Sequence, residues 1–258
     1  MPTEMLFAAA SILFFCSVIQ SIIGFAFNLM AIPLLIWSGF SLAQAVALTS
    51  VPILVQVATA TWKLREHVRW SDVLPASAIR YAALPVGISL LSWVNSLGTT
   101  TVKQVVGGML LLILSTQRWV RIRPVEHLAR GWDLLAFSLS GLMLGMLAMG
   151  GPPVVLWLMA HDWSALRTRA FMAALFLLAA PVQLALLYWK LGDEVAPFFL
   201  LGLESAPLVI AGSLLGIRLG ERLDRERLRR AILFFLLLTA LFSLFSPWLD
   251  TMMLSGKG

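Results

Sequence analysis

Charge is scarce in these 258 residues: 19 Lys and Arg and 13 Asp and Glu make up 12% of the chain. An ordinary soluble domain carries about 25% charged residues and about 45–50% apolar ones. Here the hydrophobic share is 60%, too little polar surface to coat a water-soluble fold, so the soluble enzyme classes are largely excluded. The chain reads as an integral membrane protein. Cysteine is reduced to Cys16, inside an apolar run, which excludes a disulfide framework and a thiolate metal site. His67, His127 and His161 stand apart without ligand spacing, so neither a metal nor a cofactor is expected. A glycine-rich loop ending in Lys-Ser/Thr is also lacking, and an ion or substrate gradient is the expected energy source.

What charge there is has a pattern. The net +6 would suggest a nucleic-acid partner in a soluble protein. In this chain the basic residues cluster between long apolar runs, where they act as a topology signal. The partners expected are therefore a small anionic substrate and membrane lipids, with no nucleic acid; a homodimer is an allowed assembly. Met1-Pro2-Thr3-Glu4 lacks the basic start of a signal peptide, and the apolar run after it is too long for one. That run is expected to stay in the mature protein.

Six apolar stretches have the length of one membrane crossing, about 20 residues: 41–62, 72–94, 99–117, 170–189, 195–217 and 231–249. Positions 5–37 and 132–160 are too long for one comfortable crossing and too short for two. Each is interrupted, the first by Gly24-Phe25-Ala26-Phe27-Asn28 and Pro33, the second by Gly145 and Gly150-Gly151-Pro152-Pro153. An interior proline costs a helix about 3 kcal/mol, and glycine weakens it further. These stretches are either kinked, tilted helices or hairpins that enter the membrane and return to the same side.

Positive charge chooses between the two. If each long stretch crosses once, Lys and Arg divide nine against nine, leaving Arg80 aside inside its span. If each returns, the clusters at 63–69, 118–130, 167–169 and 218–230 fall together and put fifteen basic residues on one side against three. The positive-inside rule prefers the second arrangement, with both termini outside the cytoplasm. The expected fold class is an all-α polytopic membrane protein of two inverted-topology repeats. Each repeat is a broken, re-entrant helical hairpin followed by three transmembrane helices. Residues 1–118 form the first repeat, 119–131 a basic cytoplasmic loop, and 132–258 the second repeat, related by a shift of about 121–125 positions.

Inverted repeats with broken helices are the architecture of secondary transporters. A helix that starts inside the bilayer exposes unpaired N–H groups carrying roughly half a positive charge. Such an end attracts an anion. The expected substrate contacts are Gly24, Asn28 and Pro33 at the first tip and Gly150, Gly151 and Pro152 at the second, with the prolines in the opening turns of the second half-helices. Close helix packing is the alternative use of those glycines. Thr49 and Ser50 head a polar set with Gln44, Gln56, Thr59 and Gln183 that either lines a route or bridges helices.

Arg80 and Glu204 are the two charges well inside spans, 124 positions apart. A charge at such depth costs at least a few kcal/mol and faces a cavity or a partner. Arg80 is a substrate candidate and Glu204 a proton-coupling candidate. The alternatives are a mutual ion pair, or an Arg80 that extends to the cytoplasmic surface. Nine of the ten tryptophans (Trp37, Trp62, Trp70, Trp93, Trp119, Trp132, Trp163, Trp189 and Trp248) lie near span ends as an interfacial belt.

Gly24…Pro33-Leu34-Leu35, positions 43–50 with Thr49-Ser50, and the basic loop 63–70 resemble the opening of the sulfite exporter TauE/SafE family. Gly141…Gly145…Gly150-Gly151-Pro152 and positions 167–174 repeat that order, so the resemblance covers nearly the whole chain. It implies a permease for small sulfur-containing anions, such as sulfite, sulfonates or thiosulfate, often exported, in a bacterial-type inner membrane. Phe25, Phe27, Asn28 and Met30 stand where the family is richer in glycine, which narrows the first tip and leaves organosulfonates and carboxylates open. The expected protein is a transporter and not an enzyme, its anion held near the midplane between the tips during alternating access. The alternatives are a permease or channel for another small organic anion, and an intramembrane enzyme acting on a lipid. The enzyme is disfavoured because no Asp, His or Cys cluster lies in the spans.

Overall fold

The computed structural model describes residues 2–23, 27–119, 128–220 and 225–255. Among them the chain is all-helical, without a strand. The first half holds α1 (Thr3–Ile23), α2 (Phe27–Trp37), α3 (Leu42–Lys63), α4 (Trp70–Ser96) and α5 (Thr99–Trp119). The second holds α6 (Arg130–Leu147), α7 (Gly151–Met159), α8 (Ala165–Leu191), α9 (Ala196–Gly220) and α10 (Arg225–Ser255). Among the described residues α1, α3, α4, α5, α8 and α9 are long and apolar enough to cross a membrane, and α2 and Arg230–Phe245 are shorter apolar helices. In lipid every backbone N–H and C=O must be satisfied within the chain, which is why such runs are helical. The protein is an all-α, multi-pass membrane protein.

The two halves have the same order: a long helix, a short one, a helix of 22 or 27 residues, a 3-10 turn, then two more helices. The turns, Arg65–His67 and Gly192–Glu194, fall at the same place in each. Start-to-start offsets run from 123 (Leu42 to Ala165) to 127 (Thr3 to Arg130). Both long interrupted stretches divide in two. At 1.5 Å per residue, the 21 residues of α1 span about 31 Å and the 11 of α2 about 16 Å. The second pair repeats that inequality with 18 and 9 residues.

Three expected boundaries move. Helix α8 begins at Ala165 instead of 170, because Ser164 caps it by accepting from the Arg167 N–H, so the helix takes in the basic pair Arg167 and Arg169. Helix α10 extends beyond 231–249 on both sides. Pro33 is not in an opening turn: α2 starts at Phe27 and Pro33 is interior. The start is set elsewhere, by Gln20 Oε1 accepting from the Phe27 N–H at 3.0 Å. Gly24 and positions 120–127 of the expected loop lie outside the described residues.

The helices gather into two compact units that draw on both halves of the chain. One contains α1, α2, α5 and α10 with the adjoining ends of α3, α4 and α9. Within it α5 packs on α10, and α1 on α2. Trp37 Nε1 donates to Ser243 Oγ at 3.1 Å, and Lys103 Nζ lies 4.3 Å from the centre of the Trp37 ring. Asn95 Oδ1 accepts from the Ala43 N–H at the start of α3.

The other unit contains α6, α7, α8, the bodies of α3 and α4, and the first part of α9. Its α4–α6 crossing is a glycine seam. A β-carbon on Gly141 would lie 2.5 Å from the Arg80 carbonyl oxygen, and one on Gly145 2.6 Å from that of Leu84. Gly87 faces Leu142 O and Gly145 Cα from the opposite helix. Main chain therefore touches main chain, the close approach that small residues allow in membrane helices.

Candidate anion site

The seam brings α4 against the break between α6 and α7. Helix α6 ends at Leu147, and Ala148 takes a left-handed conformation with φ 53°. The Ala148 N–H bonds Leu144 O, the single 5→1 bond of an αL turn, and the Met149 N–H bonds Met143 O. A left-handed alanine costs roughly 1–2 kcal/mol, met here by those bonds and by neighbours. Ser140 Oγ donates to Gly150 O. Gln183 of α8, 3% exposed, donates from Nε2 to Leu144 O at 3.0 Å. Gln183 thus bridges helices, one of the two uses expected of it.

Helix α7 opens at Gly151 with Pro152 and Pro153 in its first turn. A helix start ordinarily presents four unpaired N–H groups. Two of these positions are prolines, so Gly150 and Gly151 are the donors left.

Arg80 supplies what the prolines remove. It is 0% exposed and does not extend to a surface. Its Nη1 donates to Leu175 O of α8 at 3.2 Å, while Nε and Nη2 are buried with no partner. The Cζ atom lies 4.6 Å from the centre of the Phe176 ring, a cation–π contact that covers one face of the guanidinium. The Nη2 atom lies beside Gly150, 3.0 Å from where its β-carbon would be. The neighbouring Tyr81 hydroxyl donates to Leu178 O at 2.8 Å, a second tie between α4 and α8. A buried donor without an acceptor is costly, and a charged one more so. Two such donors therefore sit next to the positive end of α7, where an anion would satisfy both.

The remaining sequence candidates have settings of their own. Thr49 and Ser50 are buried on α3, and both hydroxyls donate to Val46 O of their own helix, at 3.1 and 2.6 Å. Asn28 and Pro33 belong to α2 in the other unit. Glu204 is exposed on α9, whereas Arg80 is sealed. Arg167 and Asp72 form an ion pair at 2.8 Å.

That pair anchors a cluster missed from sequence. Trp157 Nε1 donates to Asp133 Oδ1 at 2.6 Å, and its ring stacks on Phe171 at 5.4 Å. Trp163, grouped above with the belt, is half-buried and packs edge-on against Trp157. Arg167 Cζ lies 3.8 Å from the centre of the Trp163 ring. The available signal was Trp157 itself, the one tryptophan left out of the interfacial belt.

The fold defines a multi-pass helical membrane protein, and the site defines one with a buried cation facing a helix start. The chain belongs to the Sulfite exporter TauE/SafE family, whose profile matches residues 9–243. That membership makes it a protein of sulfite or related-anion transport. No curated protein and no solved structure matches the chain.

Proposed function

We propose that the protein is a secondary transporter that exports small sulfur-containing anions, such as sulfite, sulfonates or thiosulfate, across a bacterial-type inner membrane. The observation that carries this reading is Arg80, fully buried, with Nε and Nη2 unsatisfied beside Gly150. The anion sits on that edge of the guanidinium, with the Gly150 and Gly151 N–H groups alongside. Alternating access moves it; the recurring helix order supports two repeats, and the fifteen-to-three division of basic residues supports inverted topology with both termini outside the cytoplasm. Glu204 is the proton-coupling group of this scheme. The test is flux into liposomes carrying the purified protein. Saturable sulfite or sulfonate movement that is lost in Arg80→Gln supports the reading; no flux of any small oxyanion overturns it.

A further inference from the structure

We infer that the Arg80 site selects cargo by charge number, accepting singly charged oxyanions that offer two oxygens to one edge and refusing doubly charged ones. The inference rests on the transport reading above and narrows its substrate class, keeping sulfonates and hydrogen sulfite and removing thiosulfate.

The fork comes first. On an arginine, Nε–H and one Nη2–H point the same way as two parallel donors, the arrangement that meets a two-oxygen group with two bonds. In Arg80 those two nitrogens are the unpartnered ones, while Nη1 is already engaged by Leu175 O. Phe176 covers a face of the guanidinium, so cargo meets the edge. A carboxylate, a sulfonate or hydrogen sulfite presents the required oxygen pair.

The charge balance comes second. Arg80 is the one charged side chain in the buried set of described residues; the other buried polar groups are Ser, Thr and Gln. Arg167, the basic residue of the neighbouring cluster, is already committed to Asp72 and Trp163. The start of α7 adds about half a charge, and Pro152 and Pro153 halve its donors. One unit of positive charge neutralises a monoanion. A dianion would bring an uncompensated charge into a site closed off from water, and its desolvation cost grows with the square of its charge, about fourfold. The negative face of the Phe176 ring, already turned to the guanidinium, offers the excess charge nothing.

Methanesulfonate and sulfate are close in shape and differ mainly in charge, so they separate the two cases. In liposomes carrying the full chain, methanesulfonate should be transported, while sulfate and thiosulfate at equal concentration move at least about tenfold more slowly. Methanesulfonate flux should fall by at least about tenfold in Arg80→Lys, which keeps a charge but loses the fork. Sulfate or thiosulfate carried as fast as methanesulfonate overturns charge selection and leaves the transport reading standing. Undiminished methanesulfonate flux in Arg80→Lys overturns the fork. No flux of any of the three anions, or of sulfite, overturns the transport reading and this inference with it.

Discussion

The Nη2 atom of Arg80 lies 3.0 Å from the position a β-carbon on Gly150 would occupy. The absence of a side chain at the helix break is thus what admits the guanidinium to the start of α7. The same hypothetical β-carbon would lie 2.6 Å from Ser140 O and 2.8 Å from Leu144 Cβ, so three neighbours define the space.

Gly150→Ala should therefore destabilise the break by about 1–3 kcal/mol, the usual range for overpacking, and displace Arg80. Gly151→Ala is the control, since its β-carbon would meet Phe176 Cζ at an ordinary 3.9 Å. Melting temperatures in detergent should fall for the first and stay near wild type for the second. Gly151→Trp should insert in the membrane yet block anion flux.

Arg80→Met should separate stability from function. Among the described residues no buried carboxylate compensates the Arg80 charge, so replacing it with an apolar side chain of similar length relieves a desolvation cost of several kcal/mol. The variant should melt at or above the wild-type temperature and transport nothing. A saturating monoanion should raise the melting point of the wild type through binding linkage and leave that of the variant unchanged.

The Asp72–Arg167 pair joins the first turns of α4 and α8 with both side chains about a quarter exposed, 28% and 27%. Its contribution should fall in the range for solvent-accessible pairs, about 0.2–1 kcal/mol, and shrink with added salt. A double-mutant cycle with Asp72→Asn and Arg167→Gln, measured by thermal melting at low and high salt, gives the coupling directly. The Arg167–Trp163 contact is lost with Arg167 whether or not Asp72 is present, so it cancels in the cycle.

Glu204→Gln tests the coupling assignment separately from binding. The anion-induced rise in melting temperature should be unchanged, because Glu204 is exposed on α9 and Arg80 is buried. The pH profile of flux should flatten. Wild-type pH dependence in this variant would remove Glu204 from the coupling path.

Much of the helical layout was legible because membrane-crossing length is written directly as an apolar run. The spans at 41–62, 72–94 and 99–117 became α3, α4 and α5 with ends shifted by only a few residues. Helix starts were harder to place, since they depend on what accepts the first N–H groups. Gln20 sets the start of α2 from seven residues away, and Ser164 draws Arg167 into α8. Neither effect has a hydropathy signature. Arg80 was visible as a charge at depth, but its condition was not. The free Nε and Nη2 depend on α6 and α8 meeting α4 there, with Leu175 O taking Nη1 and Gly150 leaving room. The number of backbone donors at the second tip is also smaller than a helix start ordinarily offers, because the Pro152-Pro153 pair that marks the break removes two of them itself.

The glycine seam bears on how cargo is received. Arg80 and the tip at Gly150 are carried by helices whose main chains touch at Gly87, Gly141 and Gly145, and close-packed backbone has little room to rearrange. The socket is therefore assembled when the protein folds, not when an anion arrives. An ion entering it has little chain to order and forfeits little entropy on that account. Calorimetry should accordingly find a small heat-capacity change on binding, the mark of a rigid receptor and not of coupled folding.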